Sequence, residues 1–216
     1  MNRVLLHLWL LCFLSAFSSC AARPPHEAGP FRPGELVELT KLDPTIRLDI
    51  RYATSHNFMG RMLYPQARAF LQRPAAEALA RANADLKPLG YCLLVFDGYR
   101  PWRITKQMWD HTPADKKEFV ADPRKGSRHN RGCAVDLSLW DIATNKEVAM
   151  PGEYDEMSPR SYAAYAEGTA EQRTHRDLLR STMERHGFTV LPAEWWHFDY
   201  QGWKSYPIQN IPFSQL

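Results

Sequence analysis

The run from Cys133 to Trp140 alternates apolar and polar side chains as a half-buried strand does, and a glycine-containing turn carrying His129 leads into it. Val135, Leu137 and Leu139 share one face; Ala134, Asp136 and Ser138 share the other. Asp136 thus points away from the core that the strand builds, and a carboxylate so placed needs a partner. His129, delivered by the loop entering the strand, can meet it across a single metal ion. A third ligand stands far downstream, at His197. Gly187 to Leu191 reads as a strand, Pro192 and Ala193 as a turn, and Glu194 to Tyr200 as a second strand. Period two then sets Trp196, Phe198 and Tyr200 on one face, and turns His197 and Asp199 toward the pocket of His129 and Asp136. Glu194 falls just before that strand settles, beside the metal without binding it.

Three nitrogen or oxygen ligands with a fourth position open is the arrangement of a catalytic zinc, which lowers the pKa of a bound water toward neutrality. A carboxylate next to that water takes its proton and passes it to a leaving amine, which fits amide hydrolysis with Glu194 as the base. Tyr91 to Phe96 is a nearly continuous apolar run suited to a central strand, and it ends at Asp97-Gly98-Tyr99-Arg100-Pro101. Pro101 opens a helix through about Trp109, so Arg100 sits where the buried strand gives way to a helix, placed to stabilise an oxyanion. Plainer readings stand beside these. A single histidine is more often a satisfied core residue, and Arg100 by itself reads as an ion pair. Glu194 is alternatively a fourth ligand or a brace for a ligating histidine. No Gly-x-Ser-x-Gly elbow supports a serine hydrolase.

The chain has 216 residues, 44% hydrophobic and 24% charged, which suits one globular domain. Its formal charge of +3 is small and its basic residues are scattered, which excludes a nucleic-acid surface. Residues 1–20 read as an export signal: Arg3 leads Val4 to Phe17, an apolar stretch shorter than the roughly 20 residues that span a bilayer. Phe17-Ser18-Ser19-Cys20 resembles a lipobox, with Cys20 as a lipid anchor and cleavage after Ala22 as the alternative. The protein is therefore expected in the bacterial periplasm or cell envelope, touching membrane only through that anchor. Residues 21–34, rich in Pro and Gly, read as a linker, and 35–216 as the domain. Cys92 and Cys133 are expected as free, buried thiols. Strands are predicted at Leu36 to Leu39 and Ile46 to Tyr52, and a helix over Ala67 to Leu86 broken or restarted at Pro74. Short helices are predicted after Thr112 and Ser158, and a last one over Ala170 to His186. His56, His111, His175 and His186 read as surface or packing residues.

Ser127-x-His129-x-x-Gly132-x-Ala134-x-Asp136 with Glu194-x-Trp196-His197 resembles the paired signature of the zinc D,D-peptidases, a group that also holds D,D-carboxypeptidases and the hedgehog signalling domain. Asp49-Ile50-Arg51-Tyr52-Ala53-Thr54 with Asn57-Phe58, the Asp97-to-Pro101 turn and Glu194-to-Phe198 narrow the likeness to the VanX-type D-alanyl-D-alanine dipeptidases, over about residues 36 to 203. The resemblance implies an α+β single domain with a central, mainly antiparallel sheet flanked by helices. It implies one Zn2+ per chain on His129, Asp136 and His197, with Glu194 as catalytic base and Arg100 as transition-state stabiliser. It further implies that Asp155, with Glu153 as competitor, meets the amino group of a D-Ala-D-Ala substrate. Ser127 stands near the substrate carboxylate, or else braces the metal loop. The alternatives are a D,D-carboxypeptidase or endopeptidase on longer cell-wall peptides, and a metal-stabilised binding module without catalysis.

Overall fold

The computed structural model describes residues 22–216; the segment read as an export signal, Cys20 and the first residue read as linker lie outside the described residues. The chain begins with a short strand β1 (Leu36–Glu38), a single helical turn α1 (Leu39–Leu42) and β2 (Arg47–Leu48). Then follow β3 (Phe70–Gln72), helix α2 (Arg73–Leu86), the central strand β4 (Tyr91–Asp97) and helix α3 (Trp102–His111). The second half holds β5 (Ala134–Asp141), β6 (Lys146–Glu147), α4 (Ala170–Arg185), β7 (Phe188–Leu191) and β8 (Glu194–Tyr200). The main sheet runs β2-β4-β5-β8-β7, with β6 on the far half of β5, and every pairing is antiparallel except β2 with β4. β1 and β3 form a separate ribbon. This is the α+β architecture that the resemblance implied.

Two expectations about local structure change. Ile46 to Tyr52 forms only a two-residue strand before a 3₁₀ turn at Arg51–Ala53, because Tyr52 leaves the sheet to enter the core. Phe70–Gln72, expected as helix, is a strand, and α2 starts afresh with Pro74 in its first turn, where a missing N–H costs nothing. β5 is also buried on both faces, not one. Leu137 and Leu139 lie in the same core as Leu79, Leu179 and Met183 of α2 and α4, while Ser138 and Asp136 are covered by loops on the opposite side. The alternation is legible because that face itself carries Asp136 and Ser138, although aromatic residues such as Tyr154 and Trp196 cover part of it. Cys92 and Cys133 are free and buried, as expected.

Two irregularities aim side chains at this polar side. In β4 the register shifts between Val95 and Asp97, so that Asp97 pairs with Asp136. In β8 the pairing with β7 jumps from Val190–Phe198 to Leu191–Glu194, so Trp195 to His197 bulge out of the ladder. A regular strand would turn Glu194 and His197 to opposite faces; the bulge lets both face Asp136. It also brings Trp196, expected on the face of Phe198, into the wall of the polar cavity. The segment read as a linker is fastened at its far end. Glu27 pairs with Arg131 and accepts from the Ile208 N–H at 2.7 Å, and the Arg32 N–H donates to the Ser205 carbonyl at 2.8 Å. Among the described residues no helix is long and apolar enough to cross a membrane.

Candidate active site

His129 opens a 3₁₀ turn that closes at Gly132, whose φ of 69° hands the chain into β5. A side chain there would be strained and would meet Leu36 at 2.5 Å. The turn is stitched to the Asp97-to-Pro101 corner. The Arg100 N–H donates to the His129 carbonyl at 3.1 Å, and the Asn130 amide donates to the Arg100 carbonyl at 2.8 Å. His129 Nδ1 lies 2.7 Å from the Gly98 carbonyl oxygen, a partner only an N–H satisfies, which leaves Nε2 with its lone pair. His197 Nε2 likewise faces Asp199 Oδ1 at 3.0 Å, leaving Nδ1 bare.

These two lone pairs stand 3.1 Å apart, and Asp136 Oδ1 lies 2.9 Å from His197 Nδ1 and 3.2 Å from His129 Nε2. Three ligand atoms, two ring nitrogens and a carboxylate oxygen, converge on one point and suit a shared cation, a proton or a metal ion. Bonds of about 2.1 Å at tetrahedral angles set neighbouring ligand atoms roughly 3.4 Å apart, so the triangle fits a metal ion with little rearrangement. The second oxygen of Asp136 accepts from the Tyr154 hydroxyl at 3.2 Å, which leaves one oxygen for the metal. Against the penalty of burial, His129 and His197 hold Asp136 well below the usual carboxylate range. Burial disfavours the His197 cation, yet Asp136 and Asp199 raise it to about 10, so a proton competes with a metal ion for Nδ1.

Glu194 stands beside the cluster, its Oε2 3.7 Å from His197 Nδ1. Burial pushes its carboxyl up to about 7 against the pull of His197. Arg100 is buried; its Nε donates to Asp97 Oδ2 at 2.8 Å, its Nη2 forms an ion pair with the same oxygen at 2.7 Å, and Nη2 is also 3.6 Å from Asp136 Oδ2. Asp155, not the exposed Glu153, lines the cavity. It holds a left-handed φ of 61°, a strained conformation of the kind that collects at functional sites. Its Oδ1 accepts from the Tyr52 hydroxyl at 3.0 Å, and its Oδ2 is buried with no partner among the described residues. Burial and then Asp136 push this carboxyl up to about 8. Ser127 also lines the cavity, and its Oγ accepts from the His129 N–H at 3.2 Å, so it braces the metal loop and still has its own proton to give. All seven residues singled out in the sequence line one cavity of about 240 Å³.

Sequence reasoning assigned no role to Asp97, Tyr64, Tyr154 or Asp199. Asp97 Oδ1 accepts from Tyr64 at 2.8 Å while its Oδ2 holds Arg100. Asp199 carried a usable signal, lying two residues after His197 on the same face. The tyrosines carried none, since each reaches the site from a loop remote in sequence. The other histidines lie outside the cavity: His56 meets Arg51, His175 meets Tyr91, and His186 pairs with Asp85 at 2.8 Å.

A His-Asp-His cluster with a carboxyl poised beside it, in this sheet, defines a metallopeptidase. The chain matches the M15 peptidase family described as D-ala-D-ala dipeptidase over residues 32–214, and it belongs to that family. It is 34% identical over 180 residues to the D-alanyl-D-alanine dipeptidase of Escherichia coli K12, covering 83% of this chain and 92% of that protein. It is 34% identical over 174 residues to the Enterococcus faecium protein of the same name, covering 71% of this chain and 85% of that one. With the Streptomyces coelicolor protein, again so named, it shares 32% over 183 residues, covering 76% and 91%.

The Asp97–Arg100 pair generates a prediction. Asp97→Asn keeps the shape of the corner but removes the charge that fixes the guanidinium, and peptidase kcat is expected to fall about 10–100-fold in a protein that still folds. Steady-state kinetics beside circular dichroism check this; an unchanged kcat in the folded variant would show that Asp97 does not position Arg100 for the reaction.

Proposed function

We propose that the protein hydrolyses the dipeptide D-Ala-D-Ala to two D-alanines in cell-wall peptide turnover, with one zinc ion per chain. The observation that carries this reading is Asp155 Oδ2, a buried carboxylate oxygen without a partner among the described residues, in a small cavity that also holds Glu194 and the ligand cluster. An unpaired buried carboxylate is costly unless a cation meets it, and the ammonium of a free dipeptide is such a cation. A longer, acylated peptide has none at that position. The cavity is smaller than the roughly 300–1,000 Å³ that suit drug-sized ligands.

His129 Nε2, His197 Nδ1 and Asp136 Oδ1 are a donor set suited to zinc. Zinc held there supplies Lewis acidity and an activated water at neutral pH. Glu194, raised to about 7, is poised to take a proton from that water and return it to the departing amine. Arg100 is held rigid by Asp97 beside Asp136, where its charge stabilises the oxygen that turns negative as the amide carbon becomes tetrahedral. Asp155 holds the amino end, Tyr52 orients Asp155, and Ser127 offers a hydroxyl to the carboxylate end.

Zinc-loaded protein is expected to release D-alanine from D-Ala-D-Ala and to leave N-acetyl-D-Ala-D-Ala intact. Glu194→Gln, with its zinc retained, is expected to lose about 10²–10⁴-fold in kcat. Cleavage of the blocked peptide would move the protein to the carboxypeptidase reading, and a fully active Glu194→Gln would remove Glu194 as the base.

The Asp155 carboxyl gives a pH dependence. A carboxyl raised to about 8 is ionised only above that pH, and only the ionised form pairs with an ammonium. In the zinc-loaded protein, where the cation offsets part of the Asp136 charge, KM for the dipeptide is expected to rise as pH falls through the Asp155 pKa, by up to roughly tenfold per unit, and Asp155→Asn to abolish that slope. A wild-type KM with the same pH profile as Asp155→Asn would argue against the pairing.

The N-terminal apolar segment supports export to the periplasm or cell envelope with an anchor at Cys20. Fractionation is expected to find the wild type with membranes and Cys20→Ala released from them; wild type confined to the cytosol would refute export.

A further inference from the structure

Among the described residues lining the cavity, two carry a permanent positive charge, Arg100 and Arg128. Their surroundings differ. Arg100 is buried, and its charge is taken up by a hydrogen bond and an ion pair to Asp97 and by Asp136. Arg128 has a side chain 44% exposed and lies with its guanidinium carbon 4.8 Å from the centre of the Trp203 ring. Its Nε stands 3.4 Å from Asp199 Oδ2, a long ion pair to a carboxylate that His197 already engages at 3.0 Å. Neither terminal nitrogen of Arg128 has a hydrogen-bond partner among the described residues. A guanidinium packed on an aromatic face, with its fork uncommitted, is a receptor for a carboxylate.

Its position gives it the right end of a dipeptide. Asp155 is held by Tyr52, whose ring lies 5.2 Å from the guanidinium carbon of Arg100, and Arg100 in turn reaches Asp136 at 3.6 Å. Arg128 lies beside Asp199, which meets the opposite nitrogen of His197. The cavity thus has a carboxyl with one unpartnered oxygen at one end and a guanidinium with unpartnered terminal nitrogens at the other. Ser127, the preceding residue, spends its oxygen on the His129 N–H and keeps its proton to donate. Adjacent positions therefore offer a hydroxyl and a guanidinium fork.

We propose that Arg128 binds the free C-terminal carboxylate of the substrate and makes the protein selective for dipeptides with an unmodified acid at the second position. This rests on the dipeptidase reading above and adds a specificity residue to it. The competing role is structural, with Arg128 merely bracing Asp199 behind His197. A brace would act on metal retention and on kcat for every substrate, whereas a carboxylate reader acts on binding of the free acid alone.

The experiment measures kcat and KM for D-Ala-D-Ala, and the inhibition constant of D-alanyl-D-alaninamide, in zinc-loaded wild type, Arg128→Ala and Arg128→Lys, with zinc content as the control for the brace. The amide keeps the ammonium and lacks the carboxylate. Arg128→Ala is expected to raise KM for the dipeptide about 10–100-fold, as loss of a charged hydrogen-bonding pair does, with kcat within about threefold of wild type. Inhibition by the amide and zinc content are expected to stay at the wild-type level, and Arg128→Lys to recover part of the KM. An unchanged KM in Arg128→Ala, an equal weakening of dipeptide and amide, or loss of zinc would each overturn the proposal. Wild type inert toward D-Ala-D-Ala would overturn the dipeptidase reading and this inference with it, while an active wild type with an indifferent Arg128→Ala overturns this inference alone.

Discussion

The buried carboxylate of Asp136 is the constraint from which the rest of the site follows. It sits 3% exposed on a strand covered on both faces, where an unpaired charge is not tolerated. Each neighbouring feature supplies part of the compensation. His129 and His197 turn nitrogens toward one oxygen, Tyr154 gives a hydrogen bond to the other, and Arg100 approaches it at 3.6 Å. The same demand explains the stitching of the metal loop to the Asp97-to-Pro101 corner, which fixes where those groups stand.

Compensation is still incomplete without ligands. Asp136, Asp155 and Glu194 line one cavity, and among the described residues a single buried guanidinium, already paired with Asp97, reaches Asp136. A divalent cation and a substrate ammonium are the charges that such a cavity lacks. The raised carboxyls of Asp155 and Glu194 express that deficit as retained protons. The buried carboxyls thus form one electrostatic arrangement, in which a cation bound at one would favour ionisation of its neighbours.

Two departures from regular strand geometry make the arrangement possible. Without the bulge in β8, Glu194 and His197 would lie on opposite faces of the sheet, and base and ligand would be separated by the backbone. Without the shift in β4, Asp97 would not pair with Asp136 or present its carboxylate to Arg100. The strained backbone at Asp155 belongs with these, since regular structure would turn its carboxylate elsewhere.

The sequence by itself singled out the residues that converge, because His129, Asp136, Glu194 and His197 lie in short segments whose residue types and spacing mark them locally, while the β8 bulge set the final directions of Glu194 and His197. It determined β8, α4 and the central strand β4 for the same reason: their period and their bounding Gly and Pro residues are local signals. Only the tertiary structure decided between Asp155 and Glu153, because neighbours in one loop differ by which of them φ turns inward. Only it revealed Asp97 as the partner of Arg100, Tyr154 as the partner of Asp136 and Tyr52 as the partner of Asp155. Those contacts join segments up to about a hundred residues apart. Nothing in a local pattern encodes a register shift or the packing of one loop on another; those follow from closing the whole sheet over a charged interior.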